Sequence, residues 1–123
     1  MNNSINSRKN AARKDRIQRK LDAGLVDAMF PEVTGIVINM TYTQRGIQKS
    51  LPRIVNFFPG SDALFRIDCL CKECVDGGFD LTQVITGMVR NRRERAVGDL
   101  SCEGSGASDD HSKIDYNVSI QYN

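Results

Sequence analysis

Residues 34–44 read TGIVINMTYTQ, and residues 113–122 read KIDYNVSIQY. Both alternate. In the first, Ile36, Ile38, Met40 and Tyr42 share one face, and Val37, Asn39, Thr41 and Thr43 share the other. In the second, Ile114, Tyr116, Val118, Ile120 and Tyr122 oppose Asp115, Asn117, Ser119 and Gln121. Side chains of a strand point to opposite faces in turn, so this pattern is that of strands with one face buried and one in water. Antiparallel sheets have that arrangement.

Three further strands follow by working outward. RIVNFF at 53–58 is followed by the turn signal PGSD at 59–62. ALFRIDCLC at 63–71 places Phe65, Ile67 and Cys69 inward and Arg66 and Asp68 outward, and AVGDLSC at 96–102 is the next strand. RGIQKSLP at 45–52 and EGSGASDDHS at 103–112 are polar connections.

Two helices are signalled. Leu81, Val84, Ile85, Met88 and Val89 recur with the period of a helix over 81–92. Asp80 and Gln83 form a capping box before it, Phe79 staples onto Val84, and RNRRER at 90–95 sets cations at its C-terminal end. The other helix covers 10–30, where Ile17, Leu21, Leu25, Ala28 and Met29 form an apolar stripe that should dock on the body. Phe30-Pro31-Glu32 ends it, because proline disfavours helix at the residue before it. The resulting expectation is an α+β fold of order α-β-β-β-α-β-β, with a five-stranded, mostly antiparallel sheet covered by helix on one face. Residues 1–9 form a disordered polar tail, 10–30 a basic amphipathic helix, and 31–123 the α+β domain.

The 123 residues suit one domain with a single core. No apolar run reaches the roughly 20 residues of a membrane span, and the first residues contain no apolar segment of a secretory signal. The chain is therefore read as cytoplasmic, where thiols stay reduced. Net charge is +2, but residues 1–30 hold seven Lys or Arg against Asp15, Asp22 and Asp27. Such a basic arm suits a nucleic acid or an acidic protein surface, or serves only as a solvated tail.

Chemistry concentrates in DCLCKEC at 68–74, which places Cys69, Cys71 and Cys74 within six residues, with Cys102 and His111 later. Chain direction brings these groups together. If the third strand ends at the cysteines, the helix over 81–92 runs back about 18 Å at 1.5 Å per residue. The strand over 96–102 returns about 23 Å at 3.3 Å per residue. Cys102 and His111 then lie at the same pole as the first three cysteines. Tetrahedral zinc needs four such ligands, so four of Cys69, Cys71, Cys74, Cys102 and His111 are the candidates for a structural Zn²⁺. Cys71-Lys72-Glu73-Cys74 resembles one knuckle of a zinc ribbon, although a second C-x-x-C is missing; Cys69 with Cys74 is a C-x4-C alternative. Against the metal stand unligated thiols filling space, with Cys69 the one most suited to core, and a disulfide or redox pair such as Cys71 with Cys74. His111, in the polar SDDHS setting, also reads as a solvated loop histidine.

No catalytic set stands out. Asp80 is accounted for as a cap and Asp76 as a turn residue, and GSGAS at 104–108 lacks the Lys-Ser/Thr of a phosphate loop. The expectation is a non-enzymatic interaction or adaptor domain acting on a protein partner or on itself as a homodimer, for instance through the last strand if that is an edge. The alternative is an RNA- or DNA-binding accessory protein using Arg13, Lys14, Arg16, Arg19 and Lys20 of the first helix with Arg90, Arg92, Arg93 and Arg95.

Overall fold

The structure is a computed structural model that describes residues 3–44, 46, 50–70, 77–102 and 111–123. In chain order the elements are α1 (Asn3–Ala23), α2 (Val26–Met29), β1 (Val33–Gln44), β2 (Leu51–Phe57), β3 (Arg66–Asp68), β4 (Gly78–Asp80), α3 (Thr82–Arg90), β5 (Arg95–Ser101) and β6 (Ser112–Tyr122). The α+β class and the antiparallel pairing are as expected; the single five-stranded sheet is not. A four-stranded sheet has the order β2-β1-β6-β5, and β3 pairs with β4 in a separate two-stranded sheet.

The two alternating segments are the centre of the main sheet. Ile36 pairs with Ile120, Ile38 with Val118, Met40 with Tyr116, and Tyr42 with Ile114. Matching parity on both strands stacks their apolar side chains on one face, and a slip of one residue would turn them all to water. β2 flanks β1 as an edge and tolerates Pro52, which cannot donate a ladder hydrogen bond. β5 flanks β6 on the other side. β6 is thus a central strand paired on both sides, which closes the route to a homodimer through it.

The third expected strand shrinks to three residues because 78–80, read as cap and staple, becomes its partner: Arg66 pairs with Asp80, Ile67 with Phe79 and Asp68 with Gly78. Asp80 still serves the helix, as its carboxylate accepts the Thr82 amide at 2.9 Å. Gly78 is required here, since a Cβ would fall 2.6 Å from the Ile67 carbonyl oxygen. Ile85, Met88 and Val89 of α3 are buried as their periodicity implies. They join Phe65, Phe79 and Leu81, together with Val26 and Phe30 from the α2 region, and the inner face of the sheet, in one core. Phe65 is its aromatic hub, stacked on Phe30 at 6.2 Å and edge-on to Phe57 at 5.0 Å between ring centroids.

The first helix departs most from expectation. It starts at Asn3 and stops at Ala23, where Gly24 takes a left-handed φ of +75°. The chain then runs beside 61–63, with Val26 N bonded to Ser61 O at 2.9 Å and Ala63 N to Gly24 O at 2.7 Å. The apolar stripe therefore does not continue across the break as one helical face. Val26 and Phe30 are buried instead, and Ile17, Leu21, Leu25 and Met29 stay exposed. Among the described residues, no helix is long and apolar enough to cross a membrane.

Candidate metal centre

Four strand ends meet at one pole of the molecule. β1 finishes there with Tyr42 and Gln44, and Gln44 pairs with Ser112 at the start of β6. β5 finishes beside the same residue, with the Cys102 amide donating to the Ser112 carbonyl at 3.1 Å. β3 ends just before Cys69, whose amide donates to the Gly77 carbonyl at 3.1 Å and so extends the β3–β4 ladder by one rung.

These ends bring Cys69, Cys102 and His111 together, with one ligand atom from each lying within 4.8 Å of the others. Cys69 Sγ is 3.4 Å from His111 Nε2. Donors held at 2.0–2.3 Å around a tetrahedral ion lie roughly 3.3–3.8 Å apart, so this spacing is close to that of ligands sharing one ion. His111 is only 6% exposed, and both cysteines are half-buried. The three residues therefore lie close enough to bind a metal.

Second contacts surround Cys69. The Ser112 hydroxyl lies 3.2 Å and the Tyr42 hydroxyl 3.7 Å from its sulfur, and Tyr42 also reaches Gln44 Oε1 at 3.2 Å. The Tyr42 hydroxyl donates to Gln44, which leaves the Ser112 hydroxyl to donate to a Cys69 thiolate, spreading its charge and orienting it. Tyr42 is itself held edge-on to Phe79 at 6.2 Å between centroids.

One sequence reading changes here and one is extended. Cys69 follows Phe65 and Ile67 inward and packs against the core as expected, and its sulfur also faces His111 and Cys102. His111 is buried, not solvated, and its ring nitrogen meets the Cys69 sulfur. Cys71 and Cys74, and with them the disulfide alternative, lie outside the described residues, as does Asp76. Ser112 and Tyr42 were missed. Ser112 has the parity of Ile114 and Tyr116, which was the available signal that it points inward.

The basic groups separate. Arg13, Lys14, Arg19 and Lys20 are exposed on α1, and Arg16 Nε pairs with Asp68 at 3.6 Å. At the end of α3, Arg92 has φ +51°. The Arg92 amide donates to Val89 O at 3.1 Å and the Arg93 amide to Met88 O at 2.8 Å, the paired bonds of a Schellman cap. The Arg92 guanidinium also bonds Asn123 O at 2.9 Å and stacks 4.9 Å from the Tyr122 ring centre. Part of this second cluster thus terminates a helix. Arg90 and Arg95 are exposed beside it.

Comparison with protein-family models, curated proteins and solved structures finds no match to this chain.

Proposed function

We propose that this chain is a small non-enzymatic interaction module whose pole is closed by one structural zinc ion, held by Cys69, Cys74, Cys102 and His111. The observation that carries the reading is the meeting of Cys69, Cys102 and His111 within 4.8 Å. Two sulfurs and one imidazole form a donor set suited to zinc. The fourth ligand follows from spacing. Cysteine pairs on structural zinc are typically separated by two to four residues, which fits Cys69 with Cys74 and not Cys69 with Cys71.

Four protein ligands leave no open coordination position, so such an ion stabilises and does not catalyse. Topology supports a use for it. Among the described residues the β3–β4 pair shares no ladder with the main sheet, and an ion bonded to Cys69 on one side and to Cys102 and His111 on the other would tie the two together. Metal binding would then contribute directly to folding. The thiolates require a reducing compartment such as the cytoplasm. The surface left for a protein partner is the outer face of the main sheet, where Ile54 and Val97 are 65% and 70% exposed.

Elemental analysis of reduced, freshly purified protein tests this reading. One zinc per chain is expected, retained in Cys71→Ser and lost in Cys74→Ser. Metal-free protein whose melting is indifferent to chelator would refute it.

A further inference from the structure

α1 and β3 border an open cleft of about 380 Å³. Arg13, Arg16, Arg19 and Lys20 line it from the helix, and Arg66 and Asp68 from the strand. Among the described lining residues, five cations therefore accompany one carboxylate. Arg16 is drawn toward Asp68, and Arg19 Nε pairs with Asp15 at 2.8 Å one turn back on its own helix. Arg13 and Lys20 pair with no carboxylate among the described residues. Cations gathered in a concavity repel one another and concentrate anions there.

The arrangement favours a long anion over a compact one. Lys9, Arg13, Arg16 and Lys20 recur at intervals of four, three and four residues, which aligns them in one stripe along roughly 17 Å of helix. A single phosphate would satisfy one end of this stripe, whereas a chain of phosphates can follow it. The helix is a poor fit to a lipid surface, as Ile5, Ile17 and Leu21 are its only large aliphatic residues in 21 positions. Among the described residues, the rest of the cleft lining is aliphatic, from Ile17 and Leu64, with no aromatic ring. Bases thus find no stacking platform, and recognition falls to the phosphates.

We propose that this cleft binds the phosphodiester backbone of a nucleic acid strand, independent of base sequence, with Arg66 of β3 as a contact equal in kind to those of α1. Arg66 is what distinguishes a built site from a basic tail. The binding stands apart from the metal reading, since none of the four proposed ligands lines the cleft.

Fluorescence anisotropy with the full chain and a labelled single strand of mixed sequence, as RNA and as DNA, tests the proposal. The expected affinity falls linearly with salt on logarithmic axes. Arg13→Glu combined with Lys20→Glu, both on the exposed helix surface, is expected to weaken binding about tenfold or more, and Arg66→Ala about three- to tenfold. Lys14→Glu, on the opposite side of the helix, is expected to cost less than about threefold. Binding of either strand type supports the site and identifies its preferred sugar. The proposal is overturned if neither strand binds, if Lys14→Glu is as damaging as the double variant, or if the protein floats with anionic vesicles but ignores the oligonucleotides. Circular dichroism confirms folding of Arg66→Ala; should it unfold, the contrast between the double variant and Lys14→Glu decides.

Discussion

The sulfur of Cys69 lies 3.4 Å from Nε2 of His111, although 42 positions of sequence separate them. One residue follows a strand of the small sheet and the other precedes a strand of the large one. Covalent connectivity does not impose this proximity. Antiparallel pairing sends the ends of β1 and β5 and the start of β6 to the same pole, and the end of β3 packs against them there.

If an ion joins them, acid should release it. Thiols and imidazole bind metal only after losing their protons, so affinity falls with pH. Zinc set free into a chromogenic chelator should rise as pH is lowered from neutrality, and Cys102→Ser should move that release to higher pH. Release independent of pH would exclude thiolate and imidazole ligation.

Gly78 leaves no room for a side chain. Gly78→Ala drives a Cβ into the Ile67 carbonyl, 2.6 Å away, so the β3–β4 hairpin must open or shift. Denaturant unfolding should show a loss of about 1–3 kcal/mol, the usual cost of forced overpacking. Because Cys69 directly follows β3, zinc affinity should weaken in the same variant.

Arg92 sits in the left-handed region, at φ +51°. A residue with a Cβ pays roughly 1–2 kcal/mol for that conformation. Arg92→Ala loses the contacts to Asn123 and Tyr122 and keeps the strain, whereas Arg92→Gly loses the contacts and sheds the strain. Chemical denaturation should therefore rank glycine above alanine by about 1 kcal/mol. Equal stability would mean that the turn relaxes without cost.

Burial pushes the Tyr122 phenol above its ordinary pKa of 10.0. Arg92 opposes that shift, and Glu32 and Glu94 add to it. Its hydroxyl donates to the Arg93 carbonyl at 2.7 Å, a bond that needs the proton. A raised folded pKa means the unfolded chain ionises first, so this contribution is complete below pH 10 and is lost as pH climbs through the folded value. Stability measured across that range should fall more steeply in the native chain than in Tyr122→Phe.

What the sequence disclosed follows from where the physics is local. β1 and β6 were legible because period-two alternation is written directly into Ile36–Ile38–Met40 and Ile114–Tyr116–Val118. α3 was legible from the spacing of Leu81, Ile85 and Met88. The partner of β3 was not, because Phe79 and Asp80 carry equally good helix-entry signals, and strand pairing depends on a neighbour that propensity does not name. The break at Gly24 was hidden by the apolar stripe on either side of it. The convergence of Cys69, Cys102 and His111 at one pole could be anticipated from chain direction and element length, while the neighbouring hydroxyls of Tyr42 and Ser112 depended on cross-strand register.

The position of β6 also sets when the molecule can fold. The strand in the middle of the main sheet is the last of its strands to be synthesised, and even the shortest rung between it and β1, Gln44 with Ser112, spans 68 positions. Until it emerges from the ribosome, β1 and β5 each expose an unpaired backbone edge, the state most prone to intermolecular pairing. Closure of the main sheet must then wait for residues 112–122, and pairings of such sequence separation slow it. A nascent chain stalled before residue 112 would be a substrate for chaperones or for aggregation, not a smaller version of the native sheet.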